Sequence, residues 1–73
     1  MTHDRSSKIL RLPDVKARTG LSRSTIYLRL ATGQFPRPVS LGARSIGFVE
    51  SEIDEWIAER IRLSRENAGQ VLR

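Results

Sequence analysis

The chain has 73 residues, a formal net charge of +5, one histidine and no cysteine. This length allows one domain at most and buries only roughly 60–65% of the unfolded surface, so a large substrate pocket is not expected. Without cysteine there is no disulfide framework and no thiolate metal site, and the one histidine, His3, stands in a polar N-terminal stretch. We therefore expect no metal, no cofactor and no enzymatic activity.

The distribution of charge favours a nucleic-acid partner. Residues 5–44 contain nine Lys or Arg and one acid, a net of +8, whereas residues 45–73 contain four Arg and six acids, a net of −2. Such a basic segment is typical of nucleic-acid binders, although an arginine-rich surface that serves only solubility has the same pattern. No apolar run approaches the ~20 residues of a membrane span, and the N-terminus is polar. We expect a cytoplasmic protein with no membrane partner.

The first predicted elements are short. Residues 1–8 are polar and without periodicity, so we predict a disordered tail there. A short strand or extended lead-in follows over residues 8–12. Pro13 suits the first turn of a helix, where its missing N–H costs nothing, and this helix is predicted to end at Thr19. With barely two turns, it must pack on neighbouring elements to be stable.

Residues 19–27 have the pattern of a helix-turn-helix. Gly20 closes the first helix, because glycine adopts a left-handed backbone without steric cost. Ser22 is a suitable N-cap for a second helix over residues 23–31, since its hydroxyl can accept a hydrogen bond from a free backbone N–H. The pattern therefore predicts two helices joined by a glycine turn.

The second helix would present its first residues to DNA. In a helix-turn-helix these residues meet base edges in the major groove, and Arg23 and Ser24 stand there. On a helical wheel Ile26 lies on the core side, whereas Ser24 and Leu28 lie near the opposite side. Tyr27 has two interpretations, contact with DNA or packing on the core with its hydroxyl at the surface. Leu28 either contacts thymine methyl groups or is simply exposed.

A hairpin is predicted after the second helix. Two prolines keep the connecting segment extended, and Phe35 is expected to anchor it on the core. Residues 39–48 then alternate apolar and small residues on either side of Gly42, which supplies a turn. Arg44 would stand at the hairpin tip and Arg37 at its root. Arginine at a hairpin tip suits contact with the DNA backbone or minor groove, or serves only solubility.

A third helix is predicted to begin with the capping pattern Ser51-x-x-Asp54 and to end near Leu63 or Ser64. Trp56 is expected to be the largest core residue, within an apolar stripe at helical spacing. We predict a flexible tail over residues 65–73. The stripe consists of Ile53, Trp56, Ile57 and Ile61. The single domain is therefore predicted to span residues 9–64.

Several segments together resemble one known family. They are Arg11-Leu12-Pro13-x-Val15, Thr19-Gly20-Leu21-Ser22-Arg23-Ser24-Thr25-Ile26-Tyr27, Gly33-x-Phe35-Pro36-x-Pro38-Val39, Leu41-Gly42-x-Arg44 and Glu52-Ile53-x-x-Trp56-Ile57. Over about residues 9–63 the chain resembles the AlpA family of phage and prophage transcriptional regulators. It departs from many members at Phe48, where they have tryptophan.

The resemblance implies a mainly α fold with a small β-hairpin (α+β), a MerR-like winged helix-turn-helix related to phage excisionases. It implies a sequence-specific regulator that binds double-stranded DNA with the helix at residues 22–31 in the major groove and the hairpin on the backbone. The DNA-binding residues predicted from the helix-turn-helix pattern and the resemblance are Ser22, Arg23, Ser24, Tyr27, Arg37 and Arg44.

Two other functions remain open on the sequence. An excisionase-like recombination directionality factor would bind the same partner and bend it. A protein-interaction module for another regulator would use the acidic start of the third helix and the exposed Leu28. One such domain covers about one half-site, so a homodimer or a DNA-templated oligomer is also expected, with an integrase or another regulator as a further possible partner.

Overall fold

Two short helices, a β-hairpin and a longer helix follow a two-residue strand along the chain. The computed structural model describes residues 8–67. Its elements are β1 (Ile9–Leu10), α1 (Leu12–Thr19), α2 (Arg23–Ala31), β2 (Val39–Gly42), β3 (Ser45–Val49) and α3 (Glu50–Glu66). The predicted α+β class is confirmed, and the arrangement of helices and hairpin is that of a winged helix-turn-helix domain.

The small sheet has the order β1-β3-β2, with both pairs antiparallel. Its central strand β3 pairs with β1 through Phe48 and Val49, and with β2 from Gly47 to Ser45. We call the hairpin of β2 and β3, residues 39–49, the wing. The sheet explains Gly47, because a Cβ atom there would clash with the side chain of Ile9 on β1. The predicted hairpin and the predicted lead-in strand are confirmed.

The turn between α1 and α2 is built as the sequence predicts. Gly20 adopts φ = 75° and donates its N–H to the carbonyl of Lys16 at 2.8 Å, which ends α1. Thr19 supports the same corner, since its hydroxyl donates to the carbonyl of Val15 at 2.8 Å and accepts from the N–H of Leu21 at 3.2 Å. These local bonds fix the direction in which α2 leaves the turn.

The core combines side chains from every element except β2. Six hydrophobic residues are buried: Leu10, Val15, Ile26, Phe35, Phe48 and Ile53. Phe35 anchors the connector as expected, and its ring meets the Phe48 ring edge-on at a centroid distance of 5.9 Å. The core thus fixes α2 through Ile26 and the base of the wing through Phe48.

Trp56 is not the largest residue of the buried core, which corrects the prediction. It is half-buried, and Phe48 is the largest fully buried side chain. The indole N–H of Trp56 donates to the carbonyl of Gln34 at 3.0 Å, and its ring packs against Phe35 at a centroid distance of 4.8 Å. At the rim of the core the indole ring can pack on apolar side chains while its N–H reaches a hydrogen-bond acceptor.

The start of α3 also differs from the prediction. The helix begins at Glu50, directly after β3, so Ser51 lies inside the helix and does not cap it. The N–H of Glu50 donates to the carbonyl of Lys8 at 2.8 Å, next to the β1–β3 pairing. The sequence pattern could not reveal this because the partner lies 42 residues away. At its other end α3 continues to Glu66, past the predicted Leu63 or Ser64.

A pair of ion contacts joins α1 to α3. The guanidinium of Arg18 donates to Glu50 at 2.6 Å and to Asp54 at 2.9 Å. The hydrogen bond that Arg18 donates to Glu50 raises the pKa of Arg18 above its ordinary value. The sequence pattern predicted a capping role for Asp54 and did not reveal the pairing of either acid with Arg18. Because these two acids offset its charge, Arg18 is a weaker candidate for DNA contact than the unpaired basic residues.

The predicted tails fall mainly on residues 1–7 and 68–73, which lie outside the described residues. Between residues 8 and 67, none of the helices is long and apolar enough to cross a membrane.

Candidate nucleic-acid interface

The first turn of α2 is exposed and donor-rich. Ser22 is the N-cap, because its hydroxyl oxygen accepts from the N–H of Thr25 at 3.2 Å, as predicted. The same hydroxyl lies 2.9 Å from the hydroxyl of Thr25 and 3.3 Å from that of Ser24. The turn reads Arg23-Ser24-Thr25, so no acidic side chain offsets the partial positive charge of the helix N-terminus. This arrangement suits a polyanion.

Arg23 and Tyr27 form a pair one helical turn apart. The Arg23 guanidinium lies 5.5 Å from the centroid of the Tyr27 ring, within cation–π range. Tyr27 is 43% exposed and lies outside the buried cluster, which does not support the interpretation that it packs in the core. Leu28 is 64% exposed, in agreement with its predicted position opposite Ile26. The outer face of α2 therefore presents one cation, one phenol and one apolar side chain.

The wing presents Arg44 at its tip. Gly42 and Ser45 pair across the hairpin, leaving Ala43 and Arg44 as the turn residues. Gly42 has φ = 142°, but Arg44 also adopts a positive φ, 63°, which the sequence did not reveal. A non-glycine residue in this region is uncommon and costs conformational energy. The strained residue is thus Arg44 itself, the exposed cation at the tip of the wing.

Arg37 lies in a different environment. It lines an open groove between the connector after α2 and the first half of α3, together with Trp56, Glu52, Glu55 and Arg60. Arg37 is exposed, as a contact to phosphate would require. Its neighbours in the groove include glutamates, however, unlike those of Arg23. The structure thus groups Ser22, Arg23, Ser24 and Tyr27 on α2 and places Arg44 and Arg37 on separate segments.

Comparison with known proteins decides the family. The family model described as "Prophage CP4-57 regulatory protein (AlpA)" matches residues 8–61 of the chain, which is more than half of it. The chain belongs to the AlpA family. The resemblance drawn from the sequence is therefore confirmed, and the matched residues span every element from β1 through most of α3.

Two relatives support the assignment to the AlpA family. The "DNA-binding transcriptional activator AlpA" of Escherichia coli (strain K12) is 41% identical over 69 residues, which cover 86% of this chain and 99% of the relative. The "Uncharacterized protein ORF88" of Enterobacteria phage P4 is 46% identical over 54 residues, which cover 74% of this chain and 61% of the relative.

In the structure of this AlpA-family chain, the basic residues of the positively charged segment fall into two groups, those that pair with acids or pack over the Trp56 ring and those exposed to solvent. Arg18 is paired with two acids of α3, and the half-buried Arg29 lies over the Trp56 ring, 5.8 Å from its centroid. The remaining described basic residues between positions 8 and 44 are exposed: Lys8, Arg11, Lys16, Arg23, Arg37 and Arg44. A count of charges could not separate these groups, because the separation depends on contacts between distant segments.

Sequence analysis missed one residue near the wing. The Arg11 guanidinium donates to the hydroxyl of Ser45 at 3.3 Å, next to Arg44 in the chain. The two residues are 34 positions apart, and no local pattern predicts their contact. The sequence had placed Arg11 in the predicted lead-in over residues 8–12, and its position within the AlpA-family motif Arg11-Leu12-Pro13 was the available signal.

Proposed function

We propose that this AlpA-family chain is a sequence-specific transcriptional regulator that binds double-stranded DNA, with α2 in the major groove and the wing on the sugar–phosphate backbone. The observation that supports this most is the exposed first turn of α2. It combines a helix N-terminus that no acidic side chain compensates with Arg23 and Ser24, both exposed at the position where such residues meet base edges. The relative in Escherichia coli, named a DNA-binding transcriptional activator, supports the same function.

The residues have distinct roles in this proposal. Arg23 and Ser24 read base edges, because their side chains can donate hydrogen bonds to acceptor atoms of the bases in the major groove. Ser22 caps α2 and aims the free N–H groups of the first turn at a phosphate. The Tyr27 ring orients Arg23, and the Tyr27 hydroxyl donates a hydrogen bond to the sugar–phosphate backbone of the DNA. Arg44 on the wing neutralises a phosphate.

Arg37 is a further phosphate contact in the proposal, beyond the end of α2. Its exposure supports this role. Six basic residues between positions 8 and 44 are exposed and form no ion pair with another described residue. This number is of the same order as the roughly five to seven phosphates that one small module is expected to neutralise.

The direct test selects bound duplexes from a random pool and then measures affinity for the selected site against salt. Neutralisation of five to seven phosphates predicts that log K falls with log salt at a slope of roughly −5 to −6. Hydroxyl-radical footprinting on the selected site should protect backbone positions on both sides of one major groove. No enrichment of any sequence, or binding that does not depend on salt, would refute the proposal.

A further inference from the structure

The tip of the wing extends beyond the rest of the sheet. Strand β1 covers β3 only at Phe48 and Val49, so the hairpin from residue 40 to 46 is paired with itself alone. Two hydrophobic side chains of this part are correspondingly exposed, Leu41 at 43% and Ile46 at 42%. A two-stranded hairpin is marginally stable in water, so the direction of its tip requires a contact with another element.

One side-chain hydrogen bond supplies such a contact. Among the side-chain hydrogen bonds of residues 8–67, the bond from Arg11 Nη2 to Ser45 Oγ is the one that joins residues 40–46 to another element. The backbone of Arg11 is anchored, because its carbonyl accepts the N–H groups of Asp14 and Val15 at 2.9 and 3.0 Å at the start of α1. The bond therefore connects the N-cap residue of α1 to the wing tip.

The acceptor is the residue that follows Arg44. Any rotation of the hairpin about its base would move Ser45 and Arg44 together, and the left-handed turn at Arg44 determines where its side chain leaves the tip. We infer that Arg11 is a positioning residue of the wing, which acts through Ser45 to hold Arg44 at a fixed distance from α2. This inference rests on the proposed DNA-binding function, because it specifies how the second contact point is placed.

The alternative role for Arg11 is a direct contact to phosphate, and the Ser45 hydroxyl distinguishes the two. Ser45→Ala removes the acceptor and leaves every charge in place, whereas Ser45→Thr keeps a hydroxyl on a strand residue. If Arg11 acts by positioning, Ser45→Ala lowers affinity for the selected duplex by roughly two- to fivefold, the size expected for one modest hydrogen bond. Ser45→Thr restores the affinity.

A double-mutant cycle gives the second readout. In the Arg11→Ala background, Ser45→Ala should cause no further loss, because the bond is already absent. Lys16→Ala is the matched control, since Lys16 is an exposed cation on α1 whose side chain makes no hydrogen bond or ion pair with the described residues of the wing. It should lower affinity without coupling to Ser45. The melting temperature of each variant verifies that the losses do not arise from unfolding.

Amide hydrogen exchange without DNA tests the contact by itself. Arg11→Ala and Ser45→Ala should each speed exchange at residues 43–46 and leave α2 unchanged, and Lys16→Ala should change neither. Unchanged affinity and unchanged exchange in Ser45→Ala would overturn the inference. Failure of the proposed function appears differently, as a wild-type protein that binds no duplex while the exchange result still holds.

Discussion

At the scale of single residues, Arg23 is the side chain expected to contribute most to recognition of a DNA sequence. Its guanidinium is exposed at the start of α2 and is steadied by the Tyr27 ring. We predict that Arg23→Ala weakens binding to the selected duplex by about 1–3 kcal/mol and relaxes base preference at one position. Arg65→Ala, which removes an exposed arginine from the last turn of α3, is the control. Equal losses of affinity in the two variants would show that Arg23 contributes only its positive charge and contacts no base.

Arg44 allows binding and stability to be separated at one position. Its φ of 63° is strained for arginine, whereas glycine adopts such a conformation freely. We predict that Arg44→Gly lowers DNA affinity and reduces the magnitude of the salt slope by about 1, as expected for one lost phosphate contact. Its free energy of unfolding should stay within about 1 kcal/mol of the wild type or rise. Loss of stability with retained affinity would indicate a structural role for Arg44.

At the scale of secondary-structure elements, the pairing of β1 with β3 requires Gly47. A Cβ atom there would clash with Cγ2 of Ile9, so the Ile9 side chain or the strand pairing would have to shift. We predict that Gly47→Ala destabilises the domain by about 1–3 kcal/mol, measured by urea unfolding. The double variant Gly47→Ala with Ile9→Ala should recover part of this loss. If the double variant recovers no stability, the clash with Ile9 is not the cause of the loss.

The C-terminal half of α3 contains an ion cluster that should respond to acid. Arg62 pairs with Glu59 and, at 2.7 Å, with Glu66, and the hydrogen bond from Arg62 lowers the pKa of Glu59 below its ordinary value. A lowered folded-state pKa stabilises the helix above the unfolded pKa of about 4.3, and the contribution disappears as the pH falls below that value. Circular dichroism should detect the loss of helicity, and Arg62→Gln should reduce its dependence on pH. An identical pH dependence in the variant would contradict this assignment.

Local signals in the sequence predicted the elements that local chemistry determines. Gly20 and Ser22 define the turn because each acts on its own neighbours within three residues. The start of α3 and the position of Trp56 were predicted incorrectly, because they depend on bonds to Lys8 and Gln34, far away in the chain. The contact between Arg11 and Ser45 was missed for the same reason.

At the scale of the whole molecule, charge and geometry agree. The helix-turn-helix and the wing present the exposed side chains of Arg11, Lys16, Arg23 and Arg44, whereas α3 begins with four acids among its first six residues, two of which pair with Arg18. DNA would be attracted to the first surface and repelled from the exposed acids of the second, which orients the encounter. The direction of approach thus follows from the same division of charge that the sequence displays between residues 5–44 and 45–73.

The most direct test of this account is a titration of the ¹⁵N-labelled protein with its selected duplex, followed by NMR. Binding through α2 and the wing predicts that amide shifts change most at residues 22–27 and 43–45, and little at residues 59–66. The two groups should respond together, at one stoichiometry, because one duplex contacts both. Shifts concentrated on the acidic first half of α3, with α2 and the wing tip unchanged, would contradict the account.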